Sequence, residues 1–221
     1  MTKTKKSYDS FPIHWLDTTD STNSDIRRGL GELANLSVIA ARFQTAGRGQ
    51  GTHTWISPKD ENLTFSILIR FGKDGIPVLP ATDAVRISYV ATLSIRDFLA
   101  EEGIDARIKW PNDIWVEDRK ICGMLIENVL DGTNVGSSIV GIGINLNQGS
   151  FDPSLPNPVS LSMLTGRHYD LETTLQRLYK IICRRVGQLS VPDGYNELEM
   201  EFNNHVFHLE AEQSPQRDHQ R

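Results

Sequence analysis

Apolar and polar residues alternate along several short stretches of the chain, the pattern of a strand with one buried face. The clearest case is 62–70, where Leu63, Phe65, Ile67 and Ile69 would share a face. Similar runs are LSVIAARF, ARIKW, DIWVE, KICGMLIEN and SSIVGIGINLN. Turn residues separate the runs, and Asp131-Gly132 is typical of a hairpin connection.

Three other stretches are predicted to be helices. The polar cluster DTTDSTN offers N-cap residues for a helix over about 23–30. Apolar residues recur at helical spacing after Pro80, and Gly103 stands just past the end of this long helix. A third helix, LETTLQRLYKIICRRVGQL, has Asp170 as its N-cap. Helices and strands do not alternate regularly, so the pattern predicts an α+β fold with a mixed, mostly antiparallel sheet flanked by helices.

The ends of the chain differ from this patterned part. We expect residues 1–12 to be a flexible arm and 13–190 to form one domain. SFDPSLPNPVS carries three prolines and is predicted to be an irregular surface crossing. The final QSPQRDHQR has little to bury and is predicted to be a disordered tail.

Composition narrows the class of protein. A net charge of −5 argues against a general nucleic-acid binder. No apolar run approaches the roughly 18 residues that span a bilayer, and the N-terminus lacks the apolar segment of a signal peptide. Cys122 and Cys183 lie in apolar runs, as buried free thiols of a reducing compartment do. These features predict a soluble, cytoplasmic protein.

The glycine-rich stretch FQTAGRGQGTHTW (43–55) raises the question of phosphate binding. It is not a P-loop, because no G-x-x-x-x-G-K-[ST] occurs in the chain. It does not satisfy G-x-G-x-x-G either, since Thr52 occupies the last glycine position.

Four other stretches place polar residues or glycines where a strand or helix would not need them. DSTN (20–23) is either a capping cluster or a set of donors at a helix start. KWPNDIW (109–115) holds a cation and a carboxylate on a turn made rigid by proline, or is only a capped turn. In RKICGMLIE (119–127) Lys120 begins an apolar strand, where a snorkelling lysine is the alternative. GIGINLN (141–147) has two glycines inside a strand, which weaken it unless something approaches the backbone closely.

Together the five stretches are more specific than any one of them. Arg48, Lys109 and Lys120 supply positive charge, and Asp113 and Asn145 supply polar orientation. This combination predicts a site that binds a carboxylate and a nucleoside triphosphate side by side.

The chain resembles the catalytic domain of biotin protein ligases over roughly residues 15–190. The resemblance rests on the order and spacing of five motifs: DSTN, QTAGRG…W, KWPND, RKICGMLIE and GIGINLN. The resemblance implies a mixed sheet flanked by helices, related to lipoate ligases and class II aminoacyl-tRNA synthetases. It also implies a two-step reaction with biotin and Mg²⁺-ATP as substrates. Biotin is first activated as biotinyl-5′-AMP, and a lysine of a biotin carboxyl carrier domain then takes the biotinyl group.

The resemblance also implies residue roles. Biotin would be bound by Ser21, Thr22, Asn23, Gln44, Gly47, Arg48, Gly49, Gln50, Lys120, Gly123 and Gly143. ATP would be bound by Arg48, Trp55, Lys109, Asn112, Asp113, Lys120 and Asn145, with Asp113 as the Mg²⁺ ligand. Lys120 and Arg48 are the expected catalytic residues. For Trp55, a place in the core at a strand start is the alternative to covering the nucleotide.

The chain departs from the family pattern at its loop and its ends. Gln50 replaces the second arginine of G-R-G-R, and we expect a weaker hold on the adenylate. About 14 residues precede the motifs, so we expect no DNA-binding winged helix and no DNA as partner. Members typically end in a small SH3-like domain; here NNHVFHLEAEQ could begin its first strand, but 191–221 are expected to be truncated or divergent. Monomer and homodimer stay open.

Two alternative functions remain. A lipoate-protein ligase shares the fold, although GRG with KWPND favours biotin. A biotin-binding module without ligation is the non-enzyme alternative, and it would bind biotin without labelling a carrier domain.

Overall fold

The computed structural model describes residues 12–207. The strands are β1 (Ile13–Thr19), β2 (Val38–Gln44), β3 (Leu63–Arg70), β4 (Leu79–Pro80), β5 (Arg107–Lys109), β6 (Asp113–Val116), β7 (Arg119–Asp131) and β8 (Asn134–Ile144). The helices are α1 (Thr22–Arg28), α2 (Val85–Glu101), α3 (Leu161–Thr165), α4 (Leu171–Gln188) and α5 (Gly194–His205), with a short 3₁₀ helix at Ala81–Asp83.

The strands form one sheet in the order β1-β2-β3-β8-β7-β6-β5, and β4 pairs with the start of β8. β1 and β2 run parallel, whereas the other paired strands run antiparallel. The long β7–β8 hairpin turns at Gly132, which has a positive φ of 59°. The predicted α+β class with a mixed, mostly antiparallel sheet is confirmed.

The two faces of the sheet differ because side chains alternate along each strand. On β3, Phe65 and Ile67 point into the main core with the long helices, and fully burying such a side chain contributes about 1.5–3 kcal/mol. Leu68 points the other way and packs against Ile26 of α1. Ser66 lies on that same second face, which is therefore partly polar. The second face carries the candidate site.

Most predicted elements are present. α1, α2 and α4 lie close to the predicted helices, and Asp170 caps α4 by accepting a hydrogen bond from the Thr173 amide at 2.8 Å. Gly103 has a positive φ of 81° just beyond α2. Both cysteines are free, but only Cys122 is fully buried; Cys183 is partly exposed.

Sequence reasoning missed β1, β4, α3 and α5. β1 ends in the polar residues DTT, which belong to the cluster DTTDSTN that predicts a helix cap. The prediction of a strand at NNHVFHLEAEQ is wrong for residues 203–205, which belong to α5. α5 buries only Gly194, Leu198 and Phe202, so its periodic signal is weak. Most of the predicted arm at 1–12 and the predicted tail lie outside the described residues.

An ion cluster joins α5 to the rest of the domain. Arg185 on α4 is 7% exposed and donates to both carboxylate oxygens of Asp97 on α2, at 2.7 and 2.8 Å. The same guanidinium donates to both oxygens of Glu201 on α5, at 2.6 and 2.7 Å. Arg184 also contacts Asp97, but its side chain is 62% exposed. One buried cation therefore holds three helices together.

We expect Arg185→Met to lower the free energy of unfolding by about 3 kcal/mol, because two partly buried carboxylates lose their partner. Arg184→Met is the matched control and should cost less than ~1 kcal/mol, as exposed ion pairs do. Urea denaturation of both variants measures the difference. Equal losses would mean that the buried cluster contributes no more than the surface pair.

Candidate active site

The register of the sheet brings the predicted motifs into one row. Lys109 of β5 pairs with Asp113 of β6, and Asp113 pairs with Gly123 of β7. Gly123 pairs with Gly143 of β8, which pairs with Thr64 of β3. Residues directly opposite one another on neighbouring strands share a face of the sheet. Three motifs far apart in sequence therefore meet on the same surface.

A β-bulge aims Lys120 into this surface. Ile114 pairs with Cys122 and Trp115 pairs with Lys120, so Ile121 is an extra residue on β7. Strict alternation would send Lys120 to the face opposite Gly123, and the bulge reverses that direction, as bulges beside functional sites often do. The Lys120 Nζ lies 2.8 Å from Asp113 Oδ2, and both side chains are about 30% exposed. A cation and a carboxylate thus stand together at one end of the glycine surface.

Glycines leave room for a large side chain on the floor of the site. A Cβ at Gly143 would lie only 2.3 Å from Cε2 of Trp55, and one at Gly123 would lie 3.2 Å from the same indole. The indole of Trp55 therefore rests on the two glycines. Its Nε1 is buried and has no hydrogen-bond partner among residues 12–207. Trp55 lines the cleft, which contradicts the alternative that placed it in the core.

The opposite end of the cleft is built from polar side chains at the start of α1. Gln44 Oε1 accepts hydrogen bonds from the backbone N–H of Thr22 at 2.8 Å and from its hydroxyl at 3.2 Å. These bonds fix the amide so that its Nε2 is the group left to donate. The Ser66 hydroxyl lies 2.7 Å from Thr22 Oγ1 and donates to Asn23 Oδ1 at 2.6 Å. Ser21, Thr22 and Asn23 are all buried, so this end is a rigid polar pocket.

Gly141, which has no side chain, leaves the space that the side chain of Asn23 occupies. A Cβ at Gly141 would lie 2.2 Å from Asn23 Oδ1, so any side chain there would displace the amide. The two glycines in the strand therefore have different purposes. Gly141 admits Asn23, and Gly143 admits Trp55.

The 45–55 loop folds into a small hairpin over the cleft. The Trp55 N–H donates to the Gly47 carbonyl at 2.9 Å, and the Gly49 N–H donates to the His53 carbonyl at 2.8 Å. Gly47 is needed for this closure, since a Cβ there would lie 2.3 Å from the Trp55 carbonyl oxygen. Gly47 does not line the cleft, whereas Arg48, Gly49 and Gln50 do.

Three further residues predicted to bind ATP, Asn112, Asn145 and Lys109, stabilise the wall of the cleft. Asn145 Nδ2 donates to the Val159 carbonyl at 3.1 Å, and Asn112 Nδ2 donates to the Met124 carbonyl. Both asparagines are 5% exposed and connect strand ends to neighbouring chain segments. Lys109 Nζ lies 4.1 Å from the centre of the Trp115 ring, a favourable cation–π contact.

The resulting cavity has a volume of about 470 Å³, a size typical of a small-molecule site. Apart from Gly47, every residue predicted to bind lines it. Sequence reasoning missed an apolar wall formed by Phe151, Leu155, Pro156 and Pro158. These residues belong to the proline-rich crossing, whose end runs beside Lys120, with the Lys120 N–H donating to Asn157 at 2.8 Å. Three prolines in a short segment were the available signal.

The predicted residues divide between the two ends of the cavity. Lys109, Asp113 and Lys120 lie at the end where β5 and β6 join the sheet. Arg48 instead pairs with Glu127. The Glu127 carboxylate accepts a hydrogen bond from Arg48 Nη2 at 2.9 Å and also contacts Asn23. The cavity therefore suits an elongated ligand with a polar head at one end and an anionic group at the other.

Comparison with known proteins identifies the family. A sequence model described as the biotin/lipoate A/B protein ligase family matches residues 15–145. The chain belongs to this family. It is 34% identical to a biotin–[acetyl-CoA-carboxylase] ligase of Paracoccus denitrificans, over 79% of this chain and 72% of the relative. It is 33% identical to the bifunctional ligase/repressor BirA of Escherichia coli, over 64% of this chain but only 43% of that protein.

The fold agrees with this membership. The biotin protein ligase from Aquifex aeolicus in complex with biotin and ATP superimposes with a TM-score of 0.74 at 26% identity, covering 88% of this chain and 78% of the other. The resemblance predicted from the five motifs is thus confirmed. Within residues 12–207, no helix is long and apolar enough to cross a membrane.

Gly141→Ala should lower the free energy of unfolding by about 1–3 kcal/mol, the usual cost of overpacking a tight site. Gly149→Ala is the control, because a Cβ there would meet no atom of the described part of the chain within 4 Å. Its effect should stay within about 0.5 kcal/mol. Urea denaturation compares the two variants, and a neutral Gly141→Ala would show that Asn23 relocates freely.

Proposed function

We propose that this chain is a biotin protein ligase, which activates biotin with ATP as biotinyl-5′-AMP and transfers the biotinyl group to a lysine of a biotin carboxyl carrier domain. The observation that carries the proposal is the Lys120–Asp113 pair beside the glycine floor, in a cleft whose other end is a rigid polar pocket. The family membership supports it, and relatives are named as ligases of this kind.

The first step joins two anions. A carboxylate oxygen of biotin attacks the α-phosphorus of ATP, the bond from that phosphorus to the bridging oxygen breaks, and pyrophosphate leaves. The anions repel each other, so the step needs positive charge already in place around the reacting oxygens. Lys120 is the group we assign to this role, because the bulge at Ile121 and the contact with Asp113 hold its ammonium in the cleft.

The second step transfers the acyl group. The uncharged amine of the carrier lysine attacks the carbonyl carbon of the mixed anhydride, the carbon–oxygen bond to AMP breaks, and the amine loses a proton. The cleft must keep the adenylate away from water until the carrier arrives. The 45–55 hairpin and the apolar wall from Phe151 to Pro158 are the parts we expect to exclude water.

Biotin and ATP are assigned to opposite ends of the cleft. Gln44 lines the polar end, and its Nε2 is the donor we assign to the ureido carbonyl of biotin; Ser21, Thr22 and Asn23 complete that end. Lys109 and Lys120 would meet phosphate oxygens, with Trp55 against the nucleotide.

Asp113 is the residue we assign to Mg²⁺. Magnesium is commonly bound by one or two carboxylates together with substrate phosphates, so a single protein carboxylate fits. Within residues 12–207, no group of three or more His, Cys, Asp or Glu side chains is placed to hold a metal alone, which is consistent with a metal carried in by ATP. Bound there, Mg²⁺ would neutralise phosphate charge.

Lys120→Ala should lower biotin-dependent ATP–pyrophosphate exchange by about 10²–10³-fold, the usual loss for one preorganised charge contact. Lys180→Ala is the matched control, because Lys180 is an exposed lysine of α4 away from the cleft. The exchange assay isolates the first step from carrier docking. Unchanged exchange in Lys120→Ala would overturn the catalytic assignment.

The same assay separates the alternatives. A lipoate-protein ligase would support exchange with lipoate rather than biotin. A binding module without ligation would bind biotin but catalyse no exchange and label no carrier domain. The donor amide of Gln44 favours biotin, since lipoate has no ureido group to accept its hydrogen bond.

Gln50→Arg should slow release of biotinyl-5′-AMP by about ten-fold, the factor of one charge-assisted contact worth ~1.4 kcal/mol. Gln50 stands on the loop that covers the cleft, and arginine would add a positive charge facing the adenylate. Release is measured by trapping free adenylate after a single turnover. Equal release rates in the two proteins would show that position 50 does not hold the adenylate.

A further inference from the structure

Glu127 is the one residue of the RKICGMLIE motif whose side chain has several partners yet no part in the proposed chemistry. It lies on β7 four residues beyond Gly123, so alternation places it on the same face as the cleft floor. Its side chain is 20% exposed. About 20 Å of strand separates it from Lys120, at the usual rise per residue.

Three side chains converge on its carboxylate. Arg48 donates from Nη2 at 2.9 Å and from Nη1 at 3.3 Å, a two-pronged contact. Asn23 Nδ2 donates at 2.7 Å, and Arg27 Nη2 donates at 3.1 Å. Burial raises the pKa of Glu127, but the hydrogen bond from Asn23 and the charge of Arg48 outweigh it, so the pKa is lowered overall. The carboxylate is therefore ionised at neutral pH.

The contact matters because of where Arg48 stands. Arg48 lies on one arm of the 45–55 hairpin and pairs across it with Thr54, next to Trp55 on the other arm. The hairpin rests on the body of the protein through the Trp55 indole on one side and through Arg48 on the other. Glu127 is the ionic partner on the second side, at the polar end of the cleft.

We propose that Glu127 is a positioning residue that holds the 45–55 hairpin closed over the cleft by binding Arg48. Asn23 connects the same carboxylate to the pocket assigned to the head of biotin. Occupancy of that pocket and closure of the hairpin are thereby linked through one carboxylate. The inference deepens the proposed function and rests on it only where ligands are concerned.

Trypsin provides a readout that needs no activity, because it must take the Arg48 side chain into its own pocket to cut the Arg48–Gly49 bond. Glu127→Gln keeps the size of the side chain and an acceptor for Asn23 but removes the charge. We expect cleavage at Arg48 in the ligand-free protein to be about ten-fold faster than in the native chain, equivalent to ~1.4 kcal/mol.

Arg27→Gln is the matched control. It removes the other ionic partner of Glu127 and leaves the contact with Arg48 in place, so cleavage at Arg48 should change by less than about two-fold, as for an exposed ion pair. Unchanged cleavage in Glu127→Gln overturns the proposal. So does equal acceleration in Arg27→Gln, or acceleration at every lysine and arginine, which would indicate general loosening.

Arg48→Lys tests the contact from the other side if Glu127→Gln folds poorly. Lysine keeps the charge and the trypsin site but cannot form the forked contact, so cleavage should again accelerate. In ligase assays Glu127→Gln should raise the KM for biotin about ten-fold with a smaller change in kcat, because an open hairpin weakens binding more than chemistry. If the native chain shows no ligase activity, the proposed function fails while the protease result still decides the role of Glu127.

Discussion

Close approach to the backbone of β7 and β8 is the constraint on which the site depends. At Gly123, Gly141 and Gly143 a single added carbon would lie closer than ordinary van der Waals contact to Asn23, Lys120 or Trp55. Glycine weakens a strand, and here the strands tolerate it because β8 is paired on both sides, with β3 and with β7. The central place of β8 in the sheet thus supports a glycine floor on which the Trp55 indole rests.

The charged side chains of the site are held by ion pairs at the two ends of that floor. Lys120 reaches the cleft through a bulge and is held by Asp113, while Arg48 is held by Glu127 at the far end. Two anionic side chains therefore keep two cations in fixed positions. For Lys120, which we assign to the reacting oxygens, such preorganisation avoids moving charge during the reaction, and this is usually the largest single catalytic contribution.

The helices on the opposite face are the support for this arrangement. Arg185 ties α2, α4 and α5 together with one buried guanidinium, and the apolar side chains of β3 pack against the same layer. The cleft face is bordered instead by the short α1, the 45–55 hairpin and the proline-rich crossing. The difference between the two faces is visible in β3 itself. Phe65 packs in the core, and Ser66 forms hydrogen bonds in the polar pocket.

The sequence by itself determined the class of fold, the long helices and the five motifs that belong to the site. Alternation along 62–70 and the caps at Asp170 and Gly103 are local signals, and they act through neighbouring residues alone. The sequence did not determine β1, because β1 needs β2 as a parallel partner. Nor did it determine α5, whose position depends on Arg185 and on packing of Phe202 against Tyr89.

Only the tertiary structure decided where each site residue lies in the cleft and which residue it contacts. The bulge that turns Lys120 toward the cleft is a property of the pairing between β6 and β7. Gly47 proved to be a closure point of the hairpin rather than part of the lining, because its role depends on Trp55 across the hairpin. The pairing of Arg48 with Glu127 joins residues 79 apart in sequence, and no local pattern contains it. Such contacts arise from the register of the sheet, which sums many weak preferences over the whole chain.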